Sequence, residues 1–157
     1  MTDHLPSPGS ADPGRDGGHD GGEGDRESAY ELLQRGRDLI RHRHHAQAAI
    51  VLERAARLEP GRGSILELLG RAFFMSGQPE RARDTFEALL AVDPSSHYGH
   101  FALGRSLRRL GRDREALTHL RLAVALAPGS ALYRGALARS QPGVRPPVPP
   151  PGDGDAS

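Results

Sequence analysis

The chain contains no cysteine, no lysine and no tryptophan among its 157 residues. Without cysteine it can form neither disulfides nor thiolate metal sites. Because lysine is absent, all 21 basic residues are arginine, a composition typical of a high-GC bacterial genome. An arginine favoured by coding bias says less about function than one selected in place of lysine.

Long apolar runs are also missing. No stretch of 18 apolar residues occurs, and the first ten residues, MTDHLPSPGS, lack the basic and apolar regions of a secretory signal. We therefore expect a soluble protein of the bacterial cytoplasm that does not associate with a membrane.

Motifs of catalysis are absent as well. The sequence has no HExxH and no GxSxG, and its glycine-rich N-terminal segment neither follows a strand nor opens a helix, so it is not a phosphate loop. His42, His44 and His45 could hold a borderline metal such as zinc, but the flanking Arg41 and Arg43 would oppose a cation. We prefer to interpret them as solvated turn residues, and we expect no enzymatic activity, no cofactor and no metal ion.

What the sequence does contain is a repeat. Pro60, Pro94 and Pro128 are spaced 34 residues apart. The same offset relates three further columns: Gly36, Gly70 and Gly104; Ala48, Ala82 and Ala116; Leu52, Phe86 and Leu120. A period of this length indicates pairs of helices stacked in a row.

The residue type in each column suits such a stack. A small residue in the first two columns allows the two helices of a unit to approach closely, and large apolar residues fill the remaining space. The segment from Ser76 to Pro79 predicts a turn, with Pro79 at a first helical position that needs no amide donor. Each second helix should end near the repeating proline, which cannot continue it.

This pattern resembles the tetratricopeptide repeat over residues 29–128 and continues into a truncated fourth unit. The resemblance implies an all-α, right-handed solenoid of stacked antiparallel helix pairs. We assign the domain to residues 29–140, with repeats at 29–62, 63–96 and 97–130 and a capping helix at 131–140. Such a fold implies a non-catalytic adaptor or scaffold that binds a partner protein or peptide.

The segments that flank the domain differ from it in composition and charge. Residues 1–28 have almost no apolar side chain, and residues 141–157 are rich in proline, so we predict that both are disordered. Residues 1–28, which we call the leader, carry seven acids against two arginines, whereas residues 29–139 carry 18 arginines against 11 acids. One hypothesis is that the leader, with a net charge of −5, folds back over the basic repeats and competes with partners.

An arginine follows the glycine of every unit, at Arg37, Arg71, Arg105 and Arg139. The family resemblance implies that this position faces the concave groove. We call these four residues the arginine column. Guanidinium groups in such a row would suit an acidic peptide, but a solvated face under coding bias is an equal alternative.

Other residues are predicted to line the same groove. Arg109, one helical turn after Arg105, would deepen the positive potential. The family register adds four aromatic residues: Tyr30, Phe74, Tyr98 and Phe101. The family's clamp for a terminal carboxylate is not expected, because the corresponding positions, Leu33, Arg37, Leu68, Tyr98 and Ala102, include a single charged residue.

Two other functions stay open. Arginines beside aromatic residues could follow the phosphates of a nucleic acid and stack its bases, although the acidic leader would repel a polyanion. Alternatively, the edge of the truncated fourth unit, at Leu132, Tyr133 and Leu137, could pair two copies of the chain.

Among the histidines, His100 is expected to leave a polar notch, and His97 and His119 to have no partner.

Overall fold

The structure is a computed structural model that describes residues 26–143. The predicted disorder of the leader up to residue 25, and of the tail from residue 144 onward, lies outside the described residues. Seven helices follow one another in this range, and no strand occurs in it. They are α1 (Ala29–Arg41), α2 (His45–Leu58), α3 (Gly63–Met75), α4 (Pro79–Val92), α5 (His97–Arg109), α6 (Asp113–Leu126) and α7 (Ala131–Ser140).

The helices pair and stack in chain order. Each helix packs against the next, and the first helices of successive pairs, α1, α3, α5 and α7, also contact one another. The second helices, α2, α4 and α6, do not contact one another within the described range. The stack therefore curves with its first helices on the inner, concave side, which confirms the prediction of an all-α solenoid of helix pairs.

Local sequence explains where the helices begin and end. Ser28 caps α1, accepting a hydrogen bond from the backbone N–H of Glu31, while the Glu31 carboxylate accepts one from the Ser28 backbone N–H. Pro79 is the first residue of α4, as predicted. The second helices end at Leu58, Val92 and Leu126, each two residues before a repeating proline.

The turn inside each unit uses a left-handed residue. Gly77 and Gly111 have φ values of 80° and 74°, and Arg43 occupies the equivalent place in the first unit with a φ of 65°. Glycine adopts this conformation without steric cost, whereas a side chain makes it unfavourable. The first unit therefore makes the same turn as the others, at some cost in strain.

Close helix packing depends on the repeating glycines. A Cβ atom placed on Gly36, Gly70 or Gly104 would lie 2.5 to 2.8 Å from the side chain of Leu52, Phe86 or Leu120 respectively. These three large side chains are almost completely buried. The glycine column and the large apolar column thus fit together, as the sequence predicted.

The segment before α1 lies against the first repeat. Glu27 pairs with Arg35 at 2.8 Å and with Arg54 at 3.3 Å, so its carboxylate joins α1 to α2. Arg35 is exposed at the open end of the stack, where it forms this ion pair.

Candidate binding groove

Each inner helix carries one member of the arginine column. Arg37, Arg71, Arg105 and Arg139 lie on α1, α3, α5 and α7, and all four side chains are exposed. These are the helices that contact one another on the inner side of the stack, and Arg71, Arg105 and Arg139 line cavities there.

Arg105 lies at the centre of an aromatic cluster. Its guanidinium carbon is 4.6 Å from the centroid of the Phe74 ring and 5.5 Å from that of Phe101. Arg109 lies over the Phe74 ring as well, at 4.1 Å, and its Nη1 donates a hydrogen bond of 3.0 Å to the Phe74 carbonyl oxygen. Phe74 thus supports two cations of the next repeat through cation–π contacts.

Three adjoining cavities surround Arg105, and this residue lines all of them. The first, of about 310 Å³, is lined by Phe74, Arg105, Arg108 and Arg109. We call it the arginine pocket. The second, of about 240 Å³, is mainly apolar, and we call it the apolar pocket; its lining includes Arg71, Met75, Phe86, Tyr98, Phe101 and Leu132.

The third cavity, of about 250 Å³, extends the groove to α7. Arg108 and Arg139 supply its charges, and Leu132 and Ala136 supply part of its apolar wall. Leu132 was predicted to form a self-association edge; its side chain is 59% exposed and lines two of the three cavities. Together the three cavities form a continuous basic and apolar surface on α3, α5 and α7.

The groove contains unbalanced positive charge. No member of the arginine column, and neither Arg108 nor Arg109, forms an ion pair within residues 26–143. Glu67 precedes Arg71 by one helical turn but does not pair with it. In contrast, seven arginines on other parts of the surface do pair with carboxylates; they are Arg35, Arg41, Arg54, Arg62, Arg81, Arg83 and Arg112.

This charge affects the titration of the groove. Burial lowers the pKa of Arg105, and the positive charges of Arg109, Arg139 and Arg108 lower it further. The group remains a cation at neutral pH, because the ordinary pKa of arginine lies far above neutrality. A bound anion would relieve the repulsion that this shift reflects.

The predicted aromatic residues separate into two groups. Phe74 and Phe101 are buried, and Tyr98 packs half-buried between Phe86 and Phe101, with ring centroids 6.2 Å apart in both contacts. Burial raises the pKa of the Tyr98 hydroxyl. Tyr30 is exposed near the start of α1, and like Arg37 it lines none of the three cavities.

The structure corrects the predicted role of Tyr133. Its side chain is 6% exposed, and its ring packs 4.7 Å from that of Phe101. The prediction that Tyr133 lies on an exposed edge is therefore wrong, because α7 packs this residue inward against α5.

The predictions for His97 and His119 are also wrong. The Tyr133 hydroxyl lies 2.9 Å from Nδ1 of His97. His119 stacks on His100, with their Nδ1 atoms 3.0 Å apart, and His100 Nε2 donates to the Pro94 carbonyl oxygen at 2.9 Å. The notch expected at His100 is thus filled by a second histidine.

The histidines between α1 and α2 do not converge. His42 donates from Nδ1 to the carbonyl oxygen of Asp38, at 2.7 Å. No group of three histidine, aspartate or glutamate side chains in residues 26–143 is arranged to hold a metal ion.

No helix in residues 26–143 has both the length and the apolarity needed to cross a membrane.

Comparison with known proteins identifies a repeat family. The sequence model described as tetratricopeptide repeat matches residues 33–83 and 68–131. A search of curated proteins found no match.

Solved structures of similar architecture come from several proteins. The first TPR of Spaghetti (RPAP3), bound to the HSP90 peptide SRMEEVD, superposes with a TM-score of 0.69 at 15% identity, covering 72% of this chain and 90% of that one. The Sgt2 TPR domain from Aspergillus fumigatus gives 0.68 at 18% identity, covering 82% and 91%. MamA residues 41 to the end, from Desulfovibrio magneticus RS-1, give 0.69 at 20% identity, covering 72% and 64%. At these identities the likeness establishes the fold.

Proposed function

The chain belongs to the tetratricopeptide repeat family, and on that premise we propose that it is a protein-interaction module whose concave groove binds an acidic peptide segment of a partner protein. The family fold serves in general as a non-catalytic interaction module, and solenoids use their extended concave surfaces for recognition.

One observation carries the acidic specificity. The six arginines of the groove have no carboxylate partner within the described residues, while seven of the 13 arginines elsewhere in residues 26–143 are paired. Guanidinium groups form two parallel hydrogen bonds with a carboxylate, and such charge-assisted bonds are about twice as strong as neutral ones. Glutamate or aspartate side chains of a ligand would supply the missing partners.

The apolar pocket adds a second requirement. Met75, Phe101 and Leu132 line it beside Arg71 and Arg105. A ligand that places a large apolar side chain near its acidic residues would therefore fill both parts of the groove. Burial of that side chain would contribute about 1.5–3 kcal/mol.

A structural neighbour supports the peptide-binding part of this proposal. The similar RPAP3 domain is bound to a peptide, SRMEEVD, that contains acidic residues. This likeness supports the binding of a peptide by the present chain. In the present chain, the charged residues that line the groove lie chiefly on α5 and α7.

Nucleic acid fits the groove less well. Phe74 and Phe101 are 6% and 4% exposed, and guanidinium groups already lie over the Phe74 ring. Base stacking requires an open aromatic face, which these two residues do not offer.

The proposal is tested with a fluorescent peptide of alternating glutamate and leucine, against a control in which glutamine replaces glutamate. Binding by the full chain is followed by anisotropy. The triple variant Arg71→Gln, Arg105→Gln, Arg139→Gln should weaken binding at least about tenfold, which corresponds to about 1.4 kcal/mol. The glutamine peptide should bind weakly to the unmodified protein.

A matched triple variant controls for net charge. Arg57, Arg114 and Arg121 are exposed on α2 and α6, and they form no ion pair within residues 26–143. Changing these three residues to glutamine removes the same charge from the second helices and should alter affinity less than about threefold, since exposed charges are screened by salt. Equal losses in the two triple variants would show that the groove is not the site.

A further inference from the structure

The arginine pocket differs from the rest of the groove in the density of its charge. Arg105, Arg108 and Arg109 lie within a little more than one turn of α5, and Phe74 is the remaining lining residue. Within residues 26–143, no carboxylate lines the pocket. Three cations therefore surround one cavity of about 310 Å³.

Two of these guanidinium groups are held in place before any ligand arrives. Arg105 and Arg109 both lie over the Phe74 ring, and the hydrogen bond to the Phe74 carbonyl oxygen fixes one nitrogen of Arg109. A guanidinium group carries five N–H donors. Neither the ring contacts nor this single bond use more than a small part of that capacity.

The spacing on α5 brings the donors to one place. Residues four apart on a helix have Cβ atoms about 5–6 Å apart, so Arg105 and Arg109 are neighbours on the face that meets Phe74. Arg108 lines the same cavity from the adjacent position. Like charges this close repel one another, and burial with the charges of Arg109, Arg139 and Arg108 lowers the pKa of Arg105.

We propose that the arginine pocket binds a phosphoryl group, carried on a phosphorylated serine or threonine of the partner peptide. This inference rests on the proposed peptide-binding function and specifies its ligand. A phosphoryl group presents three acceptor oxygens and a charge of about −1.5 to −2 near neutral pH. One carboxylate offers two oxygens and a single charge, and so cannot satisfy three guanidinium groups equally well.

The neighbouring cavity favours a peptide as the source of this phosphoryl group. The apolar pocket shares Phe74 and Arg105 with the arginine pocket and continues to Met75 and Leu132. A residue next to the phosphorylated one can place an apolar side chain there. Free phosphate would leave that surface uncovered.

The test uses three fluorescent peptides that differ at one position, which holds phosphoserine, glutamate or serine, with leucine nearby. Full-length protein should bind the phosphoserine peptide at least about tenfold more tightly than the glutamate peptide, because one to three additional charge-assisted hydrogen bonds form. Arg108→Gln and Arg109→Gln should each bring the phosphoserine affinity close to that of the glutamate peptide. Arg71→Gln, outside this pocket, should weaken both acidic peptides by a similar factor.

Arg108→Gln and a further variant, Arg109→Lys, guard against a loss of structure. Arg109→Gln removes a bond to the backbone of α3, whereas Arg108 makes no side-chain hydrogen bond within residues 26–143. Arg108→Gln should therefore melt at the temperature of the unmodified protein and still lose the preference. Arg109→Lys keeps the charge but removes the planar fork, and should lose part of the preference.

The charge state of the ligand provides an independent readout. The second pKa of a phosphorylated side chain is about 6, so the preference over the glutamate peptide should decline as the pH falls below that value. The glutamate peptide keeps its charge over this range and corrects for titration of the protein's own histidines.

The outcomes separate the inference from the proposed function. If neither acidic peptide binds, the proposed function itself is wrong. If both bind equally, or if the preference survives Arg108→Gln and Arg109→Gln, the phosphoryl site is wrong and the acidic-peptide groove stands. If inorganic phosphate competes at the same concentration as the phosphopeptide, a peptide is not the source of the phosphoryl group. If a single-stranded oligonucleotide binds more tightly than the phosphoserine peptide and with a steep dependence on salt, the ligand is a nucleic acid instead.

Discussion

Arg105 differs from the other members of the arginine column in what surrounds it. It touches two aromatic rings and lines all three cavities, whereas Arg37, at the same repeat position, lines none of them. The sequence places these residues in one column, but the neighbouring aromatic residues decide which of them helps to form a site. Coding bias can account for an arginine at each position, but it does not account for Phe74 beneath Arg105 and Arg109.

The histidine pair is the clearest titratable feature away from the groove. Because a carbonyl oxygen only accepts, His100 Nε2 carries a proton, and the His100 Nδ1 atom of the neutral ring accepts from His119. Burial and the neighbouring His100 lower the pKa of His119, although Glu115 and Glu87 oppose this shift. A lowered histidine pKa means that the folded state resists protonation.

The sign of the pH effect follows from this shift. Above the ordinary value of 6.5, His119 is neutral in both the folded and the unfolded chain, so it adds no pH dependence. As the pH falls below that value, the unfolded chain takes up a proton that the folded chain resists, and stability decreases. We predict a lower free energy of unfolding at about pH 5.5 than at about pH 7.5, with a smaller decrease in His119→Gln.

Urea denaturation at the two pH values measures this difference. The exposed Thr118, next to His119 on α6, provides a control without a titrating group, and Thr118→Gln should show the same decrease as the unmodified protein. If His119→Gln loses as much stability as the unmodified protein between the two pH values, then His119 is not the cause of the loss at acid pH.

At the scale of the helix pair, the repeating glycine sets how closely the two helices approach. A Cβ on Gly70 would lie 2.6 Å from the Phe86 ring, whereas a Cβ on Gly135 of α7 would meet only the flexible end of Arg139, at 3.0 Å for its nearest atom. Both glycines are inside helices, where alanine is intrinsically better by about 1 kcal/mol. Comparing the two positions separates packing from helix propensity.

We predict opposite results for the two alanine variants. Gly135→Ala should raise the free energy of unfolding by up to about 1 kcal/mol. Gly70→Ala should lower it by about 1–3 kcal/mol relative to the unmodified protein, because the added methyl group overpacks against Phe86. Thermal melting of the full chain measures both. Equal melting temperatures would mean that the helices of the second unit can separate at little cost.

Sequence reasoning succeeds where a contact repeats with the unit and fails where it does not. The packing of Gly36 on Leu52, Gly70 on Phe86 and Gly104 on Leu120 recurs in every unit, so these columns could be predicted. Phe74, Arg105 and Arg109 could be predicted as groove residues, but their contacts with one another occur in one unit and could not. The pairing of His100 with His119 spans 19 residues and occurs in a single unit. No periodic pattern predicts such a contact, because it depends on two side chains of neighbouring helices that face each other in this unit alone.

The same reasoning explains the error at Tyr133. A truncated unit lacks its second helix, so the sequence suggested an exposed apolar edge. The side chain instead fills the space beside Phe101 and His97, because α5 and α6 offer α7 an apolar surface. Which face of α7 becomes buried depends on how the helices pack, and the residue types in the sequence alone do not determine it.

At the scale of the whole molecule, charge divides the chain. Residues 1–25 carry six acids against one arginine, and the repeats carry an excess of arginine that is concentrated, without carboxylate partners in the described range, along the groove. Glu27, at the entry to α1, is already paired with Arg35 and Arg54. The six acids before it give residues 1–25 a net charge of −5.

The charge division predicts that residues 1–25 compete with an acidic ligand. A segment of that length can extend at most about 85 Å, while the first helices of neighbouring units lie about 10 Å apart, so the groove is within its reach. Deleting residues 1–25 should raise the affinity for the glutamate–leucine peptide several-fold at low salt, and the gain should shrink as salt screens the exposed charges. Anisotropy titrations at low and high ionic strength measure both effects.

A variant without acids in residues 1–25 completes this experiment. Replacing the six acids of this segment with asparagine and glutamine in the full chain keeps its length and removes its attraction to the arginines. This variant should match the deletion if the competition is electrostatic, whereas simple steric obstruction would leave its affinity at the level of the unmodified protein. Equal affinity of all three proteins at low salt would exclude competition by the leader, and the unpaired arginines would then be open to an external partner at all times.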